Sequence, residues 1–265
     1  MPPIKSVNLY HSAGKIWKLL IDDTQNLLFV EVRDEEEREV MFSAIDLTDQ
    51  SVLWADYMLE EPWWLTMQYA VSGVLLITEF ADSQNPEAKQ LIAIDGKAGE
   101  GLWMSEGLFE TANQQHVILQ TPQQSRELVD IHTGNSKQAQ SQTITQFESH
   151  VVDVQLPSRY VSETPYFDTV ANFLATKFQV QASMVIDYLE HDHLLIIAYY
   201  EQEQVFYTQH LLIMTKSGTP IYQAILDREL KGIGNESFLV YNNLLIYIEE
   251  KHTVKTINLH HSEYD

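Results

Sequence analysis

Ala93-Ile94-Asp95-Gly96-Lys97-Ala98-Gly99, with Trp103 shortly beyond the glycine, is the stretch on which the reading of this chain turns. An apolar run ends in an aspartate, a turn of small residues follows, and a tryptophan stands on the next segment. The unit recurs at Ala44-Ile45-Asp46-Leu47-Thr48-Asp49 with Trp54, and at Leu128-Val129-Asp130-Ile131-His132-Thr133-Gly134 without a tryptophan. An Asp in such a place hydrogen-bonds backbone two residues on and so builds the turn. Recurrence of Asp46, Asp95 and Asp130 at one point of the unit therefore favours structure over acid–base catalysis. Repetition of this kind marks a radial or solenoidal β array, because no single unit can bury its own apolar face.

Working outward, a short apolar strand introduced by a turn former precedes each unit: Asn26-Leu27-Leu28-Phe29-Val30, Gly73-Val74-Leu75-Leu76-Ile77, His116-Val117-Ile118-Leu119, Asp192-His193-Leu194-Leu195-Ile196 and Asn243-Leu244-Leu245-Ile246-Tyr247. These read as strands. The tips that follow, among them Asp34-Glu35-Glu36-Glu37, Ala81 to Pro86 and Glu201-Gln202-Glu203-Gln204, read as solvated hairpin ends that blunt strand edges, and they lack calcium-loop spacing. With Met214 taken as the next equivalent of the Asp, the units lie 49, 35 and 84 residues apart. Blades of propellers run at roughly 40 to 50 residues, so the last gap leaves room for a degenerate blade or an insertion. Ser141 to Ala182 fills it. There Val151-Val152-Asp153-Val154 reads as a strand, and Thr164-Pro165 followed by Phe167, Val170, Ala171, Phe173, Leu174 and Phe178 reads as a capped helix from Pro165 to Lys177 that docks on the β core. Val7-Asn8-Leu9 matches Ile257-Asn258-Leu259, as expected if the first strand completes the last blade and closes the ring.

The chain has 265 residues, 45% of them hydrophobic, and a formal charge of −22. Phosphate backbones and anionic lipid need clustered Lys and Arg, so nucleic acid and membrane surfaces are poor partners. There is no Cys, hence no disulfide frame, thiolate metal site or Cys nucleophile. Met1-Pro2-Pro3-Ile4-Lys5 lacks the basic and apolar regions of a secretory signal, and no stretch approaches the roughly 20 apolar residues of a membrane span, so the expected location is cytoplasmic.

The unit of apolar strand, hairpin, Ala-Ile-Asp, turn glycine and Trp resembles the repeat of quinoprotein-type (PQQ-like) β-propellers, with Trp54 and Trp103 carrying the fuller pattern. More narrowly, Glu60-Glu61-Pro62-Trp63-Trp64, Asn85-Pro86-Glu87-Ala88-Lys89 and Pro165-Tyr166-Phe167-Asp168-Thr169-Val170 resemble an uncharacterised bacterial family of unknown function and of this length. The resemblance implies a propeller-like fold and no activity. Quinoproteins hold Ca²⁺ beside the quinone and often carry a vicinal disulfide; a chain without Cys is expected to bind no PQQ, and no cofactor is assigned.

Residues 1–265 are thus expected to form one all-β domain, a β-propeller or propeller-like array of about five to six irregular blades with one helical insertion near 157–180. His191-Asp192-His193 is the sharpest metal candidate, since alternate strand residues share a face. It stands where other units place turn residues, however, and lacks further ligands nearby, so no metal is assigned; His260-His261 reads as a strand end. No nucleophile elbow, zinc-protease helix, phosphate loop or complete dinucleotide fingerprint is present. Trp63 and Trp64 follow a proline in the connection between the first two blades, with Tyr57 and Met58 upstream. Adjacent residues of an extended chain face opposite ways, so at most one Trp is core and the other is available outward. Exposed aromatics mark binding surfaces. The leading expectation is a non-catalytic binding or scaffold module that uses Trp63, Trp64 and Tyr57 to meet a protein or small-molecule ligand. Its rival is a hydrolase or lyase working at the central channel, where residues distant in sequence converge.

Overall fold

The recurring aspartates build turns. In the computed structural model, which describes residues 4–80, 89–234 and 237–260, Asp46 Oδ1 accepts the N–H of Thr48 at 2.8 Å, Asp95 Oδ1 those of Lys97 and Ala98 at 2.9 and 2.8 Å, and Asp130 Oδ1 those of His132 and Thr133 at 3.1 and 2.9 Å. In each unit the next residue donates its N–H to the hairpin turn alongside: Leu47 to Asn26, Gly96 to Gly73, Ile131 to Gln115, Lys216 to His193 and Leu259 to Asn243, at 2.7–3.0 Å. One hydrogen bond repeated five times is the physical content of the sequence repeat.

The strands so joined form five antiparallel sheets. β1 (Val7–His11) opens the chain. Then come β2 (Lys15–Asp22), β3 (Leu27–Asp34), β4 (Glu39–Asp46) and β5 (Ser51–Tyr57); β6 (Leu65–Val71), β7 (Val74–Phe80), β8 (Lys89–Asp95) and β9 (Gly101–Glu106); and β10 (Leu108–Ala112), β11 (His116–Gln120), β12 (Arg126–Asp130) and β13 (Ser136–Gln138). Each of these three groups is a four-stranded sheet paired in sequence order, the meander of a propeller blade. After α1 (Ser141–Thr145), β14 (Ser158–Val161) and α2 (Pro165–Phe178), the strands β15 (Ala182–His191), β16 (Leu194–Glu203), β17 (Phe206–Thr215) and β18 (Pro220–Leu230) continue, then β19 (Phe238–Tyr241), β20 (Leu244–Glu249) and β21 (Thr253–Asn258). β14 to β18 make one five-stranded sheet, and β1 pairs with β21 to complete the last. The fold is all-β and propeller-like. The chain divides into two compact units, Ser12–Asp153 with the first three blades and Met1–His11 plus Val154–Asp265 with the last two.

Within the first unit the blades are fastened by the tryptophans. Trp54 Nε1 donates to Gly96 O at 2.9 Å, and Trp103 Nε1 donates to Ile131 O at 2.7 Å. Each indole lies on a turn glycine of the next blade. Gly99 (φ +72°) leaves space that a Cβ would fill to 3.1 Å from Trp54, and Gly134 (φ +71°) space that a Cβ would fill to 2.7 Å from Trp103. Apolar side chains from adjacent sheets, such as Phe29, Phe42, Leu75 and Ile94, then Leu76, Ala93, Leu119 and Val129, bury the faces between them. The third blade has no such Trp on β13. In the second unit, Lys177 of α2 lies on the corresponding turn of the fourth blade, its Nζ donating to Ser217 O at 3.3 Å.

α2 forms as its residues dictate: Thr164 Oγ1 accepts the N–H of Phe167, Pro165 takes the first helical position, and Phe167 and Leu174 are buried against β15 to β17.

Two expectations need correction. The expected equivalent of the Asp in the fourth unit, Met214, lies one residue too early, since Leu194 pairs with Thr215 as Leu27 pairs with Asp46; Thr215 is the equivalent, and its turn is one residue shorter, closing from Thr215 N to Thr219 O. Residues 151–154 are not a strand. Val151 is 83% exposed, and Asp153 N donates to the Asp23 carboxylate, which also meets His150 Nε2 at 2.6 Å. The apolar alternation there has no ladder partner, and side chains hold the segment instead. The tip from Ala81 to Pro86 lies outside the described residues, as do most of Asn85 to Lys89 and His261.

Candidate functional site

The exposed aromatics gather at one end of the first two blades. β2 bulges between Ile16 and Lys18 where it pairs with β3, and the bulge throws Trp17 outward to 61% exposure. Arg33, the penultimate residue of β3, pairs with Lys15, and its guanidinium carbon lies 5.2 Å from the Trp17 ring centroid and 5.3 Å from that of Trp63. Arg33 is held there by Glu31, on the same face of the strand, through Nε and Nη2 at 2.9 and 2.8 Å, and by Leu65 O at 2.6 Å.

Glu31 is fully buried. A buried carboxylate is tolerated only when it is paired and hydrogen-bonded. Here Oε1 takes both Arg33 bonds, while Oε2 accepts Thr66 Oγ1 at 3.0 Å and Met67 N at 2.8 Å. This network ties β3 to the first strand of the next blade. It fixes the guanidinium on which Trp17 and Trp63 rest.

The connection carrying the tandem tryptophans is equally tied. Glu61 Oε1 accepts the N–H groups of Trp63 and Trp64, both at 2.9 Å; Pro62 O accepts Val40 N at 2.7 Å; Trp64 O accepts Phe80 N at 2.9 Å. Trp63 is half-buried on the core between the first two blades, and Trp64 is 48% exposed. Tyr57 packs on that core and meets Trp54 edge-on at 5.9 Å. The structure therefore leaves Trp63 half-buried and Trp64 exposed, with Tyr57 packed on the same core as Trp63. Glu79 pairs with Leu65 across the strands and so shares Leu65's face of the sheet, while Trp64, in register with Phe80, takes the other; the Glu79 carboxyl is pushed up, first by burial and then by the charges of Glu61 and Glu60.

Sequence reasoning missed Trp17, Arg33 and Glu31. A Glu within the apolar run Leu27 to Val32, two residues before an Arg, is the signal that such a strand carries a buried ion pair. The bulge that exposes Trp17 has no local signature.

The other candidates are structural in their contacts. His191 is buried, with Nδ1 3.0 Å from Gln155 Oε1 and Nε2 2.8 Å from Asn243 Oδ1, and it braces the fourth and fifth blades. The neighbouring Asp192 carboxylate is 3.9 Å from it. Among the described residues no group of three or more His, Asp or Glu is placed to hold a metal ion. His260 N donates to Asn258 Oδ1, which does for the fifth blade what Asp does for the first three. In the second unit, Asp187 is gripped by Arg159 at 2.7 and 2.8 Å and accepts Ser237 Oγ at 2.5 Å. Its charge is spent on the guanidinium, which also ties down Gly234 O, the arrangement of a clasp on the loop before β19.

A family model described as Domain of unknown function (DUF4905) matches residues 21–103, from the end of β2 into β9. No curated protein matches the chain. Among solved structures, BamB from Moraxella catarrhalis is 9% identical over 97% of this chain and 99% of its own, with a TM-score of 0.33. The β-propeller domain of the Trilobed protease from Pyrococcus furiosus is 13% identical over 92% and 79%, with a TM-score of 0.36. These likenesses are distant, and the propeller-like architecture rests on the strand pairing above.

Proposed function

We propose that the protein is a non-catalytic binding module and that its ligand-contacting surface is the end of the first two blades carrying Trp64, Trp63, Trp17 and Arg33, with Tyr57 as support. One observation carries this reading: two tryptophans stand 61% and 48% exposed on a frame fixed by a buried ion pair and by Glu61. Exposing large indoles gains nothing for folding, whereas rigid aromatic anchors are what binding hot spots use. Blade connections suit the role, because a rigid scaffold positions them.

The test replaces Trp64 and Trp17 by Ala, singly and together, with Tyr166→Ala as control, since Tyr166 is 70% exposed in the second unit. The expected result is an unchanged melt in all variants, loss of the material that wild-type protein retains from a native extract in the tryptophan variants, and retention in the control. Equal retention by all variants would refute the assignment.

A further inference from the structure

We propose that the open edge of β9 takes up an extended segment of a partner protein as an added β-strand, with an apolar residue set against Met104 and a Lys or Arg against Glu106. This goes beyond the tryptophan surface and does not depend on it. β9 is the last strand of its sheet and is paired on one side only, to β8. Four successive pairs, from Ala93 with Trp103 to Gln90 with Glu106, run without a shift, and Gly107 N donates to Lys89 O at 2.9 Å. Bonded residues alternate along an antiparallel ladder, so Trp103 and Ser105 turn their amides and carbonyls to β8, and Met104 and Glu106 turn theirs outward. Among the described residues no strand or turn bonds those outward groups.

Native proteins blunt such edges by shortness, bulges, Pro or charge. The corresponding strands of the other sheets obey. β13 has three residues, β5 shifts register twice and carries Asp56 at φ +54°, β18 begins at Pro220 and its pairing shifts three times, and β1 shifts in the middle of five residues. β9 has a single shift, near its start, between Ala93 and Ile94. Unpaired main-chain groups select a strand, and the side chains beside them select its residues. Met104, 59% exposed, offers an apolar contact; Glu106, two residues on, shares its face, is exposed and, among the described residues, is in no ion pair. A second copy fits poorly, since the two-fold pairing that engages both residues sets Met104 against Glu106 and joins two chains of formal charge −22.

The experiment uses the full chain and labelled octapeptides in which Val, Ile or Leu alternates with Thr, one apolar position being Lys in one set and Glu in another. Fluorescence anisotropy reads binding, and amide hydrogen exchange reads residues 104 and 106. Saturable binding of the Lys set is expected, with slowed exchange at both amides. Met104→Pro removes an outward N–H and leaves the ladder to β8 intact; about tenfold loss of affinity is expected, with a melt near that of wild type. Glu106→Lys is expected to reverse the preference and bind the Glu set, which keeps the test decisive if the proline variant does not fold. Trp64→Ala is expected to bind the peptides as wild type does. Binding of neither set, wild-type affinity in folded Met104→Pro, an unchanged preference in Glu106→Lys, or loss of binding in Trp64→Ala overturns the proposal. So does a dimer that Met104→Pro converts to monomer, which would give the edge to a second copy.

Discussion

Replacing Gly134 by Ala puts the fastening of the blades to a quantitative test. Gly134 has φ +71°, and an added Cβ would stand 2.7 Å from Trp103 Cβ and Cγ. Holding an L-residue there costs roughly 1–2 kcal/mol. The overlap involves the base of the indole rather than a flexible tip, so Trp103 must move, and its 2.7 Å bond to Ile131 O is lost or bent, at about 1 kcal/mol. A total of about 3 kcal/mol lowers the melting temperature by roughly 6–12 °C for a domain of this size. Gly99→Ala meets Trp54 less closely, at 3.1–3.3 Å, and is expected to cost about 2 kcal/mol, chiefly from the backbone. Gly101→Ala meets nothing within 4 Å and is expected to be neutral or slightly stabilising, because Ala restricts the unfolded chain. The assay is thermal melting followed by near-ultraviolet circular dichroism, which reports the indoles. A Gly134→Ala protein that melts with wild type, or an order other than Gly134, Gly99, Gly101, would refute the reasoning.

Three further outcomes follow from particular contacts. Deleting residues 1–11 removes β1 and the buried side chains of Ile4, Leu9 and Tyr10; a loss on the order of 5 kcal/mol is expected, with concentration-dependent association through the uncovered edge of β21, and an unchanged monomeric melt would dispose of the pairing. Glu31→Ala leaves Arg33 without its carboxylate in a largely buried place and is expected to cost about 3–5 kcal/mol, read as a lower melting temperature and altered tryptophan emission. In alkali, burial pushes the Tyr199 phenol up to about 12, with Glu201 adding to the effect, and burial likewise raises Tyr69 and Tyr200 above the ordinary 10. The folded state then keeps protons that the unfolded chain releases near pH 10, so this stability is complete below pH 10 and is lost as the pH rises toward 12; stability measured across that range should fall, and Tyr199→Phe should flatten the fall.

The parts of this fold that could be read from the sequence are those whose cause is local. An Asp that bonds the amide two residues on, as all three do, does so wherever its neighbours allow, which is why Asp46, Asp95 and Asp130 announced three blades; the cap of α2 at Thr164 and Pro165 is legible for the same reason. Thr215 escaped because a hydroxyl and a shorter turn do the same work with different letters. Val151 to Val154 misled because alternation says which side chains share a face and nothing about whether a partner strand exists. At the candidate site Trp63 and Trp64 were legible from their proline and their adjacency. Trp17 was not, since its bulge has no local signature; the Glu31–Arg33 spacing signalled an ion pair, but that its carboxylate serves β6 from β3 depends on residues more than thirty positions away.

Site-specific photocrosslinking in cells of the source organism tests the central claim most directly. A photoreactive phenylalanine analogue replaces Met58, 40% exposed in the tryptophan-bearing connection, or Tyr166, 70% exposed on α2. The expected result is a discrete crosslinked species from position 58 that disappears when Trp64→Ala is combined with it, and none from position 166. Crosslinking from position 166 alone, or from position 58 with no dependence on Trp64, would contradict the account.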